Sequence, residues 1–114
     1  MRDSTERLRD ILEAIERIER YAVRGKAAFE QDELIQVWMV SHIQTIGEAC
    51  RSLAPEFQES YPEIPWRAII GMRNILVHHY FEVDLDAVWQ VIQRDLPPLK
   101  VAVAAVLGAI SPDT

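Results

Sequence analysis

Apolar side chains recur along this chain at intervals of three and four, the spacing that puts them on one face of a helix. Leu8, Ile11, Leu12, Ile15, Ile18 and Ala22 form the first such stripe, and Glu13, Glu16, Arg17, Glu19 and Arg20 fill the solvated faces. The helix is expected to open near Asp3, whose spacing to Glu6 fits a capping box, and to end at Gly25. A second helix is expected from about Asp32 to Leu53, with Leu34, Ile35, Trp38, Met39, Ile43, Ile46 and Cys50 facing inward. Pro55, Pro62 and Pro65 are expected to break the chain after it. A third helix runs on this pattern from Pro65, at a first-turn position that tolerates a missing N–H, to about His79. A fourth begins near Asp84 or Asp86, includes Val88, Trp89, Val91 and Ile92, and stops before Pro97. The pair Pro97-Pro98 would separate it from a last helix ending near Gly108. Sustained apolar–polar alternation rich in β-branched residues is missing, so no sheet is expected. The pattern predicts an all-α fold, an antiparallel up-and-down bundle of four to five helices forming one domain over 1–114.

Composition narrows the class. Hydrophobic residues make up 49% of the 114 and charged residues 26%, the balance of a folded water-soluble domain. A single cysteine, Cys50, permits no intrachain disulfide and suits a reducing compartment; its apolar surroundings predict a small buried hydrophobe. Residues Met1 to Arg7 lack the apolar core of a secretory signal, and the apolar run Val101 to Ile110 is far shorter than the roughly 20 residues a bilayer requires. The expectation is a cytoplasmic protein with no membrane attachment. A net charge of −6 argues against a broad electrostatic footprint on nucleic acid and leaves room for a local basic pocket.

Candidate chemistry concentrates in Arg73-Asn74-Ile75-Leu76-Val77-His78-His79-Tyr80. These eight residues bring together a permanent cation suited to phosphate, imidazoles that move protons near neutral pH, and a phenol able to accept a transferred group. On a regular helix Arg73 and Tyr80 share one stripe, and Asn74 and His78 share its neighbour. Arg73 and His78, five residues apart, do not face the same way. Three arrangements join them: a sideways reach by Arg73, a loosened helix near Tyr80, or a partner group from a second copy of the chain. Spacing alone also fits a surface feature, because imidazoles near a helix C-terminus are favoured by the dipole. His78 and His79 are adjacent and point apart, no Cys stands near them, and Asp84 and Asp86 could be ligands only after folding, so neither metal nor cofactor is expected. His42 reads as a partly buried or interface histidine.

Arg73-x4-His78-x-Tyr80 resembles the R-x4-H-x-Y signature of the HepT-like toxins of the HEPN superfamily. Ile46-Gly47-Glu48-Ala49, Pro62-Glu63-Ile64-Pro65-Trp66, Gly71-Met72-Arg73-Asn74 and Val83-Asp84-Leu85-Asp86-x-x-Trp89 are similar to family segments in order and spacing. The resemblance thus covers nearly the whole chain. It implies a homodimeric helical bundle whose motifs meet in a cleft between protomers. It also implies a metal-independent ribonuclease toxin acting on RNA, a tRNA or an mRNA. The implied antitoxin is a small MntA-type nucleotidyltransferase that transfers AMP from ATP to the motif tyrosine. Carried over by position, Arg73 and His78 are catalytic, Asn74 supports them, Tyr80 is the modified residue, and His79 falls at a variable position. A second possibility is a non-catalytic, nucleotide-binding or scaffold partner of a minimal nucleotidyltransferase.

Overall fold

The computed structural model describes residues 4–67, 69–71 and 84–110, and these are helices joined by turns with no strand among them. Helix α1, Ser4–Ala22, buries Leu8, Ile11, Ala14, Ile15 and Ile18 almost completely, so the first stripe is as expected. Its expected cap, Asp3, lies outside the described residues. The chain leaves α1 through Gly25, at φ +92 and ψ 168, a conformation open to glycine and strained for other residues. Gly25 is at once the N-cap of α2, Lys26–Gln31. This six-residue helix is too short to show a period, and the sequence pattern passes over it. It buries Phe29, whose ring stacks on Trp89 at 5.5 Å.

Helix α3, Glu33–Arg51, starts where Asp32 caps it, with Oδ1 accepting from the N–H groups of Leu34 (2.9 Å) and Ile35 (3.4 Å). Ile35, Met39, Ile43, Ile46 and Cys50 are buried as expected, and Trp38 is half-buried. Leu34 is not inward: it is 81% exposed. It sits about 100° round the helix from Ile35, beyond the edge of the stripe that Met39 and Ile46 define. The start of α3 lies beside the end of α1, so the two run antiparallel. There Trp38 Nε1 donates to the Arg17 carbonyl at 2.8 Å and meets the Tyr21 ring edge-on at 5.3 Å.

Prolines depart from the sequence expectation at two places. Pro55 opens a helix, α4 (Pro55–Ser60), because the first turn has no intrahelical acceptor for the N–H that proline lacks. Pro97 and Pro98 do not end the fourth helix. Helix α5, Leu85–Gln90, passes through a π-helical turn, Val91–Asp95, directly into α6, Leu96–Ile110. The Leu96 N–H reaches back to the Val91 carbonyl. That wider turn stands immediately ahead of Pro97 and Pro98, where a regular helix would call for the N–H groups that the two prolines lack. Helix α6 runs on through Gly108 to Ile110, with Leu96, Leu99, Val103 and Val106 in the core. Lys100 ties it to α1 by donating to Glu19 Oε1 at 2.7 Å. Of the helix expected over 65–79, residues 66–67 and 69–71 are helical, with the Ile69 N–H donating to the Pro65 carbonyl at 3.1 Å.

Candidate functional site

Arg73, Asn74, His78, His79 and Tyr80 all lie outside the described residues, between Gly71 and Asp84. What the structure places is the framework on either side of them. On the N-terminal side the anchor is Trp66, 7% exposed, whose Nε1 lies 3.1 Å from the Gln58 carbonyl and 3.0 Å from that of Tyr61. Gln58 is held in turn, its Nε2 donating to the carbonyls of Cys50 (3.0 Å) and Leu53 (3.3 Å) at the end of α3. Ile64 and Ile69 are buried beside Trp66, and Phe57 meets it edge-on at 6.5 Å. Backbone carbonyls left over at the ends of α3 and α4 are thus used to fix the start of the helix that leads toward the motif.

On the C-terminal side Asp84 caps α5, accepting from the Ala87 N–H at 3.1 Å. Val88 is buried, and Trp89 stacks on Phe29. Asp86 pairs with Lys26 at 3.1 Å across to α2, a contact too exposed to add much stability.

Next to the Trp66 anchor is a shallow depression of about 870 Å³ lined by Gln58, Ile64, Pro65, Trp66, Arg67, Ile70 and Gly71. The sequence presents Glu63 to Trp66 as a helix entrance and does not announce a surface feature there. The signal available is Arg67, a lone cation one turn ahead of Gly71.

Two other candidates are settled by burial. Cys50 is fully buried, and loss of solvation pushes its thiol up to about 12, so it is a packing residue and no nucleophile near neutral pH. His42 is half-buried, its ring 4.4 Å from that of Trp38, and Nδ1 lies 2.8 Å from the Trp38 carbonyl. Since a carbonyl only accepts, Nδ1 carries the proton there. Among the described residues no three His, Cys, Asp or Glu side chains are grouped to hold a metal ion, and no helix is long and apolar enough to cross a membrane.

A chain whose described residues form helices without strands, and whose sequence carries a cation, imidazoles and a phenol between two fixed anchors, is the class of protein that fold and sequence define. The profile of the family described as ribonuclease HepT-like matches residues 11–106, and the chain belongs to that HepT-like family of the HEPN superfamily. It is similar to a Methanocaldococcus jannaschii protein named as a gamma-glutamylcyclotransferase and candidate RNase, with 42% identity over 94 residues, 82% of this chain and 42% of that protein. A second protein of that organism, named as a candidate RNase, is 35% identical over 72 residues, 63% of this chain and 66% of the relative. The "Probable ribonuclease HepT" of Thermococcus cleftensis is 38% identical over 96 residues, 82% of this chain and 86% of the relative. The chain therefore spans less than half of the first of these relatives and about two thirds of the second. No solved structure matches it.

Proposed function

We propose that this protein is an endoribonuclease toxin that cuts RNA without a metal ion, in a cleft completed by a second copy of the chain. The carrying observation is that the family match over residues 11–106 includes Arg73-x4-His78-x-Tyr80, the one segment where a fixed cation and proton-transfer groups stand together. The imidazole of His78 takes the proton from a ribose 2′-hydroxyl, whose oxygen then attacks the adjacent phosphorus. As the bond to the 5′-oxygen breaks, that oxygen is protonated by an imidazolium, supplied by the second protomer's motif. The products are a 2′,3′-cyclic phosphate and a free 5′-hydroxyl. Arg73 holds the phosphate and offsets the charge that builds on its equatorial oxygens, and Asn74 orients the group. The homodimer also answers the spacing difficulty, since Arg73 and His78 need not converge within one chain.

Tyr80 is the off-switch in this reading. A cognate MntA-type nucleotidyltransferase moves an adenylyl group from ATP to the phenol oxygen, releasing pyrophosphate and the phenolic proton. The added anion then fills a cationic cleft and excludes RNA by bulk and by charge. Arg73→Ala and His78→Ala should each lower cleavage of single-stranded RNA by at least about 100-fold while the helical circular dichroism stays that of the parent. Tyr80→Phe should still cut, and should lose the AMP mass increment seen when the parent is co-expressed with the transferase. Parent-rate cleavage by either alanine variant removes the assignment.

One observation favours a different reading: a net charge of −6 is unusual for an RNA-binding surface. A non-catalytic partner of a nucleotidyltransferase would bind that enzyme tightly and leave RNA intact when folded and unmodified.

A further inference from the structure

Helix α3 packs one side on the core and leaves the opposite side bare. Leu34, Val37, Ser41 and Thr45 follow at spacings of three, four and four, so they form one stripe. It lies nearly half a turn round from the buried Ile35, Met39, Ile43, Ile46 and Cys50. All four stripe residues are exposed, Leu34 at 81% and Val37 at 61%. From Leu34 to Gly47 there is no Asp, Glu, Lys or Arg, although such residues make up 26% of the chain. The outer side of α1 is the contrast, with Glu6, Arg9, Glu13, Glu16 and Arg20 exposed along it. Thr45 is less polar than its type, because Oγ1 already donates to the Ser41 carbonyl at 3.1 Å. A helix uncharged on its outer side as well as its core side suits cover on both.

Charge at the two ends of the stripe says what covers it. Glu33 and Arg51, the first and last residues of α3, stand eighteen residues apart. That is about five full turns, so both lie at one angle, on the same edge of the stripe. Both are exposed, and neither forms an ion pair with a described residue. A two-fold axis through the middle of the stripe sets a second α3 antiparallel to the first, with each Glu33 beside the partner's Arg51. The same axis brings Ser41 against its own copy and Val37 over the partner's Thr45, so larger side chains meet smaller ones. Opposite charges at one angle, each nine residues from His42, are complementary to a copy of the same helix. We infer that the bare side of α3 is where a second copy of this chain docks, antiparallel and two-fold, centred near Ser41 and His42. The inference takes only the homodimer from the ribonuclease reading and gives that dimer a face. Val101, 70% exposed on α6, lacks such brackets: Lys100 is that helix's one charged residue and is tied to Glu19.

The test is sedimentation of the full-length chain at micromolar concentration, with circular dichroism to show that each variant keeps its helices. Ser41→Glu sets two carboxylates against each other at the axis and should give a single-chain mass, while Val101→Glu should leave the dimer intact. Glu33→Arg and Arg51→Glu should each raise the dimer Kd about tenfold, since each turns two attractions into repulsions. Joined in one chain, the two reversals should bring Kd back to within about twofold of the parent. Ser41→Cys should cross-link to its own copy on oxidation, and Leu34→Cys should not, because two copies of Leu34 lie about 24 Å apart in this register. A dimer that survives Ser41→Glu overturns the inference, as does one that Val101→Glu dissolves or a double reversal without rescue. A parent of single-chain mass overturns it together with the homodimer of the ribonuclease reading. A monomeric Ser41→Glu that still cuts RNA bears out the face, and it is then the two-chain cleft that has failed.

Discussion

A thiol with no route to water is a titrating group whose effect on stability has a definite sign. Burial pushes Cys50 from its ordinary value of 9.0 up to about 12, so the folded chain keeps a proton that the unfolded chain releases. Below pH 9 both states are protonated and the thiol contributes no pH dependence. Between about pH 9 and 12 only the unfolded state loses the proton, and stability falls by about 1.4 kcal/mol per pH unit from this group alone. Cys50→Ala removes that slope. The variant should be less stable than the parent by about 1 kcal/mol at neutral pH, through the lost packing of a buried sulfur. The deficit should shrink and then reverse by about pH 10.5. Urea unfolding of both proteins at the two pH values checks this, because other lysines and tyrosines titrate alike in each. A deficit that stays constant would mean that Cys50 reaches solvent in the folded state. The same residue marks what sequence reads well, since a small apolar neighbourhood suffices to place it in the core. Leu34 marks what it reads poorly: its hydrophobicity is that of a core residue, and only its angular position on α3 leaves it in water.

Among the elements, the ones legible in the sequence are those long enough to repeat. The stripes of α1 and α3 come from spacing, and so do the approximate starts near Asp32 and near Asp84 or Asp86; that Asp32 and Asp84 cap those helices is what the structure adds. Helices α2 and α4, six residues each, are held by Phe29 stacking on Trp89 and by Pro55 at a first turn, which no periodicity announces. Pro97-Pro98 misleads because a breaker is read from local sterics, whereas the five residues ahead of it have already widened the helix. Asp84 is the first described residue after the motif segment, and its capping role can be measured directly. Asp84→Ala should cost about 1 kcal/mol in chemical unfolding, and Asp84→Asn only a few tenths, because the amide oxygen still accepts from the Ala87 N–H. An equal loss for both would show that charge rather than capping is what the position supplies.

For the molecule as a whole, the candidate site is half legible in one chain. Residue types and order are there in Arg73 to Tyr80, but the second chain proposed to complete the site is signalled only by a misfit, five residues between Arg73 and His78 that do not share a face of one regular helix. The proposed homodimer should sediment at twice the 13.1 kDa of one chain, and micromolar solutions with a single-chain mass would leave the cleft without its second half. Between motif and core stands the Trp66 anchor, and its position makes it an optical reporter. An indole screened from water and hydrogen-bonded to two carbonyls emits to the blue of a solvated one. Trp38 and Trp89 lie elsewhere, against Tyr21 and Phe29, so replacing both by phenylalanine leaves a single emitter seven residues ahead of Arg73. Its wavelength would report, without any label, how tightly the chain leading into the motif is seated, before and after the proposed RNA binding or AMP transfer is attempted.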